Sequence, residues 1–240
     1  MFHIKGWVKN SFCDWERKVS TVLFLPGCNF RCPFCQNWRL VSSPDGFQDI
    51  PWQEIERYLR EYREFLDGVT VTGGEPFFSP FINDLLEMLR SIGLPVKIDT
   101  NGTFPLKLEK ALSDNLVSGV SMDVKTFFDA SAYSAVSGVN IDERVMGDIK
   151  KSVRILMESS IEYEFRTTVV RTFHTSSEIK AIARDLVGAR RYVLQGYRPF
   201  GVNPAFEGGT PYTPAELDEM RAMVASYFQE CCVRHYGILS

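Results

Sequence analysis

The chain has 240 residues, 45% of them hydrophobic, with 27 Lys or Arg against 30 Asp or Glu and a formal net charge of −3. That length and apolar content suit one large α/β domain with a substantial core, so residues 1–240 are read as a single domain. The charge argues against a nucleic-acid binder that works by bulk positive charge. Six cysteines are too few and too clustered for a secreted disulfide scaffold. Met1-Phe2-His3-Ile4-Lys5 opens no long apolar stretch of the signal-peptide kind, and no run approaches the ~20 apolar residues of a membrane span. A soluble cytoplasmic protein is the expectation.

Residues 3–8 alternate weakly and predict a short edge strand. Asn10-Ser11-Phe12-Cys13-Asp14-Trp15 reads as loop, with Cys13 a small packed residue. The apolar, β-branched run Val19–Leu25 then reads as a buried strand, broken by Pro26-Gly27. The loop over 26–37 carries Cys28, Cys32 and Cys35 in C-x3-C-x2-C spacing. Three thiolates are three soft ligands, suited to an iron–sulfur cluster or zinc. A cubane cluster normally takes four cysteines, and no fourth lies nearby, so one iron would stay open to an outside ligand. Zinc would need its fourth ligand from His3, His174, His235 or a distant cysteine. Purely structural packing is disfavoured because Gly27, Arg31 and Pro33 make the stretch a loop.

Turn chemistry at Ser42–Gly46 leads to a helix from Pro51 to about Leu66, with Ile55, Tyr58, Leu59 and Tyr62 at helical spacing. The short strand Val69–Thr72 stops at Gly73-Gly74-Glu75-Pro76, where the missing Cβ atoms would let a ligand lie against the backbone. Ser79 is the expected N-cap of a helix from Pro80 to about Ser91. A strand over Val96–Thr100 ends in Asn101-Gly102, and a helix over Leu106–Asn115 follows. On the strand Gly119–Lys125, Asp123 and Lys125 share a face and can pair. A small helix within Phe127–Ser137 ends at Gly138, and Arg144–Ser159 is amphipathic. On the strand Ile161–Val170, Glu164 and Arg166 point the same way. His174, in the loop after it, reads as a surface residue. A helix from Ser176 through Leu186 precedes the strand Arg191–Gln195, the aromatic loop Gly196–Gly201 with Arg198, and a Gly/Pro-rich loop over Asn203–Pro211. The last helix is expected over Pro214–Glu230, followed by Cys231-Cys232 as packed or exposed thiols. Strand–helix alternation repeated about six times predicts a parallel sheet with right-handed crossovers, and six units leave a lateral opening that eight would close.

The cysteine spacing, with Phe34 as the aromatic before the last cysteine and Gln36-Asn37 after it, resembles the radical S-adenosylmethionine (radical SAM) superfamily. Gly73-Gly74-Glu75-Pro76 is a second match to its pattern. The resemblance implies an α/β fold, a partial (β/α)6 TIM-like barrel whose parallel sheet is open on one side. It implies a [4Fe–4S] cluster on Cys28, Cys32 and Cys35, flanked by Phe34 and Gln36, with S-adenosylmethionine chelating the open iron. Gly73, Gly74 and Glu75 would hold the methionine amino group, and Asp99 or Thr100 would face the same pocket. Asp123 and Lys125 would contact the sugar and carboxylate side, and Arg166 would reach the carboxylate bidentately. Arg198 would contact cofactor or partner. The implied chemistry is reductive cleavage of the sulfonium and hydrogen abstraction by the 5′-deoxyadenosyl radical.

Within that superfamily the chain is most similar to the activating proteins of anaerobic ribonucleoside-triphosphate reductase. The likeness runs through Lys18–Phe24, the cysteine loop, Met122-Asp123-Val124-Lys125-Thr126, Tyr163–Val170 and Arg191–Gln195. Gln36 stands where many of those proteins have histidine, and Ser11–Glu16 departs from their Leu-Ile-Asp-Tyr-Pro-Gly pattern. The implied partners are a glycyl-radical enzyme and a flavodoxin- or ferredoxin-type electron donor. Pyruvate formate-lyase activation is the near neighbour. A radical SAM enzyme acting on a small molecule or RNA is a second class. An iron–sulfur carrier or zinc-stapled interaction module is a third, and it leaves Gly73-Gly74-Glu75 and the Asp123–Lys125 pair unexplained.

Overall fold

The structure is a computed structural model, and it describes residues 3–206, 209–235 and 238–239. The chain divides into two compact units. The first comprises residues 1–29, 37–100 and 106–120, and the second residues 30–36, 101–105 and 121–240. The boundary falls inside the cysteine loop, so Cys28 belongs to the first unit and Cys32 and Cys35 to the second.

In the first unit, β1 (Gly6–Ser11) pairs antiparallel with β2 (Ser20–Leu25), with an irregular register between Val8 and Ser11. β2 runs parallel to β3 (Gly68–Gly73), from Ser20↔Gly68 to Leu25↔Gly73, and β3 is parallel to β4 (Val96–Thr100). Parallel neighbours need a crossover, and here the crossovers hold helices: α1 (Trp38–Ser42) and α2 (Trp52–Glu61), then α3 (Ile82–Ile92). Val22, Leu23, Val69, Val71 and Ile98 are fully enclosed, as are Ile55 and Leu59 of α2 and Leu86 and Leu89 of α3. Strands buried on both faces are why these runs read as continuous apolar stretches rather than alternating ones. α4 (Pro105–Ser113) follows, and β5 (Gly119–Asp123) straddles the boundary.

The second unit adds α5 (Ala130–Ser137), α6 (Glu143–Glu158), β6 (Glu162–Val169), α7 (Ser176–Asp185), β7 (Arg191–Gly196), α8 (Pro214–Val224), β8 (Glu230–His235) and β9 (Ile238–Leu239). β6, β7 and β8 are parallel neighbours, and β9 closes back antiparallel on β8. Side-chain caps fix where its helices start. Asp142 accepts from the N–H of Val145, and reciprocal capping boxes join Thr175 to Glu178 and Thr213 to Glu216. Gly138 ends α5 in the left-handed conformation, φ 71°.

Several boundaries differ from the sequence reading. The helix expected to run to Leu66 stops at Glu61, and the edge strand extends through Ser11 rather than ending at Val8. Ser79 caps nothing of α3, whose N-cap is Phe81. The preceding Pro76–Phe78 turn is a separate 3-10 helix capped by the Glu75 carboxylate. The helix expected to reach Glu230 ends at Val224, and Cys231-Cys232 lie in β8, a strand the sequence reading lacks. In the Gly/Pro-rich loop, Glu207 and Gly208 lie outside the described residues. Among the described residues no helix is long and apolar enough to cross a membrane.

Candidate functional site

In the first unit the backbone beyond β3 is zipped onto the residues that precede Cys28. Gly74 N donates to Leu25 O at 2.9 Å and Glu75 N to Gly27 O at 2.9 Å. A Cβ on Gly73, where φ is +120°, would lie 2.3 Å from Leu25 O, and one on Gly74 would lie 1.8 Å from Gly27 O. The sequence reading gave these glycines to the close approach of a ligand. In the structure they permit the close approach of the neighbouring backbone, which carries the chain into Cys28. Asn37, just past the cysteine motif, donates its side-chain amide to Gly73 O at 2.7 Å. Both flanks of the motif are therefore fastened to the glycine turn.

Glu75 is 1% exposed. Its Oε1 accepts from Phe77 N at 3.1 Å and from the Thr100 hydroxyl at 2.8 Å. Thr100, at the carboxyl end of β4, thus orients Glu75. One residue earlier, Asp99 points to the other side of the strand, where the Lys97 ammonium sits 2.5 Å from Oδ1.

The second unit holds Cys32 and Cys35 in a tight turn, Cys35 N donating to Cys32 O at 3.1 Å. Arg31 N donates to Ser137 O at 2.8 Å. A Cβ on Gly138 would meet Arg31 O at 2.2 Å, so the left-handed end of α5 is also where this segment docks. Phe34 is buried with Val136, Val170 and Tyr197, and Phe173 and Phe206 pack against that group. Burial pushes the Cys32 thiol up to about 11, against the opposing pull of Lys125. Soft metals bind the thiolate, so loading this position must displace a proton. Gln36 is exposed at the end of the turn.

Beyond β5, Asp123 is shared by two cations. Lys125 Nζ lies 2.9 Å from Oδ2 and Arg166 Nε 2.9 Å from Oδ1. Burial alone would raise the Asp123 pKa, but Arg166 and Lys125 outweigh it and hold the carboxyl well below the usual carboxylate range. Lys125 is held fully charged in turn: burial would lower its pKa, and Asp123 more than compensates. The expected Asp123–Lys125 pair is present, and Glu164 and Arg166 also approach, at 3.9 Å.

Glu164 itself anchors a network the sequence reading did not contain. Arg234 of β8 grips it with contacts of 3.1 and 3.3 Å, the Ser121 hydroxyl donates to it at 2.9 Å, and Arg191 Nε lies 3.6 Å away. Arg198 is half-buried in the loop after β7. His174, expected on the surface, is 0% exposed, and Cys13, expected to be packed, is exposed. The histidine is enclosed because both its ring nitrogens are spent on backbone groups, which nothing in its local sequence signals. Cys231 and Cys232 are half-buried on opposite faces of β8.

Three cysteines in one short loop are the donor set an iron–sulfur cluster asks for. Among the described residues no three His, Cys, Asp or Glu side chains converge on a point for a single metal ion. In a cubane each cysteine serves a different iron, so cluster ligation does not require the sulfurs to share one point.

Comparison with known proteins agrees with this chemistry. A protein of Methanocaldococcus jannaschii, provisionally named a glycyl-radical enzyme activating enzyme, is 29% identical over 205 residues, covering 82% of this chain and 80% of that one. The pyruvate formate-lyase-activating enzyme of Clostridium pasteurianum is 25% identical over 228 residues, covering 88% and 91%. Among solved structures, Streptococcus suis SuiB bound to S-adenosylmethionine superimposes with a TM-score of 0.61 at 16% identity. It matches 88% of this chain, which spans about half of SuiB (51%). That likeness shows the fold class expected from the sequence, a mixed α/β arrangement with a mostly parallel sheet. The Radical SAM superfamily model matches residues 22–186, well over half of the chain and every motif from the cysteines to Arg166. The chain belongs to the radical SAM superfamily, oxidoreductases that work with a [4Fe–4S] cluster and S-adenosylmethionine.

Proposed function

We propose that this protein activates a glycyl-radical enzyme, removing a hydrogen atom from a glycine of its partner. The carrying observation is coverage. Two relatives named as activating enzymes are matched over 80% and 91% of their own lengths. Anaerobic ribonucleoside-triphosphate reductase is the partner we favour, on the likeness through Met122–Thr126, Tyr163–Val170 and Arg191–Gln195. A pyruvate formate-lyase-type partner is the second reading, favoured by the Clostridium relative. The electron comes from a flavodoxin- or ferredoxin-type donor.

In this reading Cys28, Cys32 and Cys35 hold the cluster and leave one iron for S-adenosylmethionine. When bound, the pair supplies a one-electron reductive cleavage and the abstraction of hydrogen. The protein's own residues bind and orient. Gly73 and Gly74 set the turn beside Cys28, and Glu75, fixed by Thr100, offers a buried carboxylate toward the methionine amino group. Asp123 and Lys125 meet the sugar and carboxylate side, Arg166, oriented by Asp123, is directed at the carboxylate, and Asp99 lines the pocket. Phe34 and Gln36 flank the cluster, with Phe34 excluding water from it. Arg198 contacts cofactor or partner. No general acid–base pair is required.

The test is direct. Anaerobically reconstituted protein, reductant and S-adenosylmethionine are mixed with each candidate partner, and electron paramagnetic resonance is recorded. A glycyl doublet on the reductase supports the favoured partner, and one on a pyruvate formate-lyase supports the second reading. Cleavage of S-adenosylmethionine without a doublet on either would reassign the substrate.

A further inference from the structure

Lys125 lies two residues past the end of β5, where sheet hydrogen bonding has stopped and its backbone groups need other partners. Both find a fully buried side chain. Lys125 N donates to the Tyr133 hydroxyl at 3.0 Å, and Lys125 O accepts from His174 Nε2 at 2.7 Å. Tyr133 and His174 are each 0% exposed. The other imidazole nitrogen, Nδ1, accepts from Val170 N at 3.1 Å, so the hydrogen bonds select the neutral ring with its proton on Nε2. Neighbouring bonds lock the two elements further: Tyr212 donates to His174 O at 2.7 Å, and Thr167 donates to Val124 O at 2.8 Å.

Tyr133 has a second contact. Its ring meets Phe30 edge-on, centroids 6.5 Å apart, and Phe30 leads into Cys32. One side chain of α5 thus touches both the segment that carries two of the cysteines and the backbone of Lys125. A buried phenol and a buried imidazole are costly core residues unless their polar atoms are used, and here each spends one polar atom on Lys125.

We propose that Tyr133 and His174 are positioning residues for S-adenosylmethionine: one on its N–H and one on its C=O, they fix the backbone of Lys125 so that its ammonium is set for the ligand. A lysine side chain has many rotamers, and anchoring its backbone while Asp123 holds its tip narrows them. The inference rests on the assignment of Lys125 to S-adenosylmethionine made above.

The experiment separates positioning from plain stability by two substitutions at one site. His174→Asn presents an amide oxygen near Nδ1, keeping the Val170 bond and losing the one to Lys125. His174→Gln reaches with its amide nitrogen to the place of Nε2, keeping Lys125 and losing Val170. Tyr133→Phe keeps the ring on Phe30 and removes the hydroxyl. Lys125→Ala reports on the underlying assignment. Binding of radiolabelled S-adenosylmethionine to the cluster-loaded, unreduced full-length protein is measured by equilibrium dialysis, and thermal unfolding alongside. Losing one hydrogen bond of about 1 kcal/mol corresponds to a several-fold change. We expect His174→Asn and Tyr133→Phe to weaken binding about five- to tenfold, His174→Gln to stay within about twofold, and the two His174 variants to lose similar thermal stability. Equal binding losses in His174→Asn and His174→Gln would make His174 merely structural and overturn the inference. Weakened binding in Lys125→Ala with His174→Asn and Tyr133→Phe binding normally would overturn the inference alone. Normal binding by Lys125→Ala would overturn the assignment and the inference with it.

Discussion

Gly74 and Gly27 pass each other with no room for a side chain, since a Cβ on Gly74 would stand 1.8 Å from the Gly27 carbonyl oxygen. The atom in the way is backbone, so Gly74→Ala must push apart the two turns that bracket Cys28. Overpacking of this kind costs about 1–3 kcal/mol. Reconstituted Gly74→Ala should show both a lower unfolding midpoint and a lower iron content per chain. Gly147 is the matched control. It lies in α6 with nothing within 4 Å of an added Cβ, so Gly147→Ala should stabilise by about 0.5–1 kcal/mol and leave iron content unchanged.

Removing the Asp123 carboxylate takes from Lys125 its 2.9 Å partner and leaves Arg166 the longer 3.9 Å approach to Glu164. Lys125 and Arg166 side chains are 15% and 12% exposed, whereas Asp123 is 31% exposed and water can partly replace it. Breaking a buried pair from one side costs about 3–5 kcal/mol, and the partial exposure places Asp123→Ala near or below the low end. Denaturant unfolding of Asp123→Ala beside the Asp123→Ala/Lys125→Ala double variant checks this. The double variant should recover part of the loss, because it removes the Lys125 charge as well.

His174 gives the fold a definite pH dependence. Its pKa is lowered in the folded protein by burial, so below its ordinary value of 6.5 the unfolded chain takes up a proton that the native ring refuses. Stability from this group is therefore complete above pH 6.5 and falls as the pH drops toward the folded-state pKa, with a limiting slope of about 1.4 kcal/mol per pH unit. Urea unfolding at pH 7.5 and pH 5.5 should show the loss in the natural protein. His174→Asn, which has nothing to titrate, should be less stable at pH 7.5 and lose less between the two pH values.

What the sequence disclosed, and what it withheld, follows from the range of each interaction. Asp123–Lys125 and Glu164–Arg166 were legible because strand alternation alone puts residues two apart on one face. The cysteine motif was legible because its spacing is itself the chemical signal. His174 was misplaced because its burial depends on Lys125, 49 residues earlier, and no local pattern records that. Strand β8 was missed because Glu230–His235 mixes charges, thiols and one valine. Its strand identity comes from pairing with β7, where Arg191 faces Glu230 and Gln195 faces Arg234. The structural duties of Glu75 are not legible, since nothing near Thr100 announces a hydroxyl aimed at a carboxylate in the turn beyond β3.

The three cysteines should not contribute equally to folding without the cluster. Cys32 packs, partly buried, against the cluster of Phe34, Val136, Val170 and Tyr197, so Cys32→Ala leaves a small cavity and costs about 1 kcal/mol in the apoprotein. Cys28→Ala, Cys32→Ala and Cys35→Ala should nevertheless abolish cluster loading alike, read as iron and sulfide per chain and as loss of the broad charge-transfer absorbance.

The measurement that bears most directly on the whole account is the electron paramagnetic resonance spectrum of the reduced, reconstituted protein with and without S-adenosylmethionine labelled in its carboxylate oxygens. A cluster held by Cys28, Cys32 and Cys35 with an open iron predicts a shifted spectrum on addition of the sulfonium and hyperfine coupling from the label. A fully loaded cluster whose spectrum is untouched by saturating S-adenosylmethionine would contradict it.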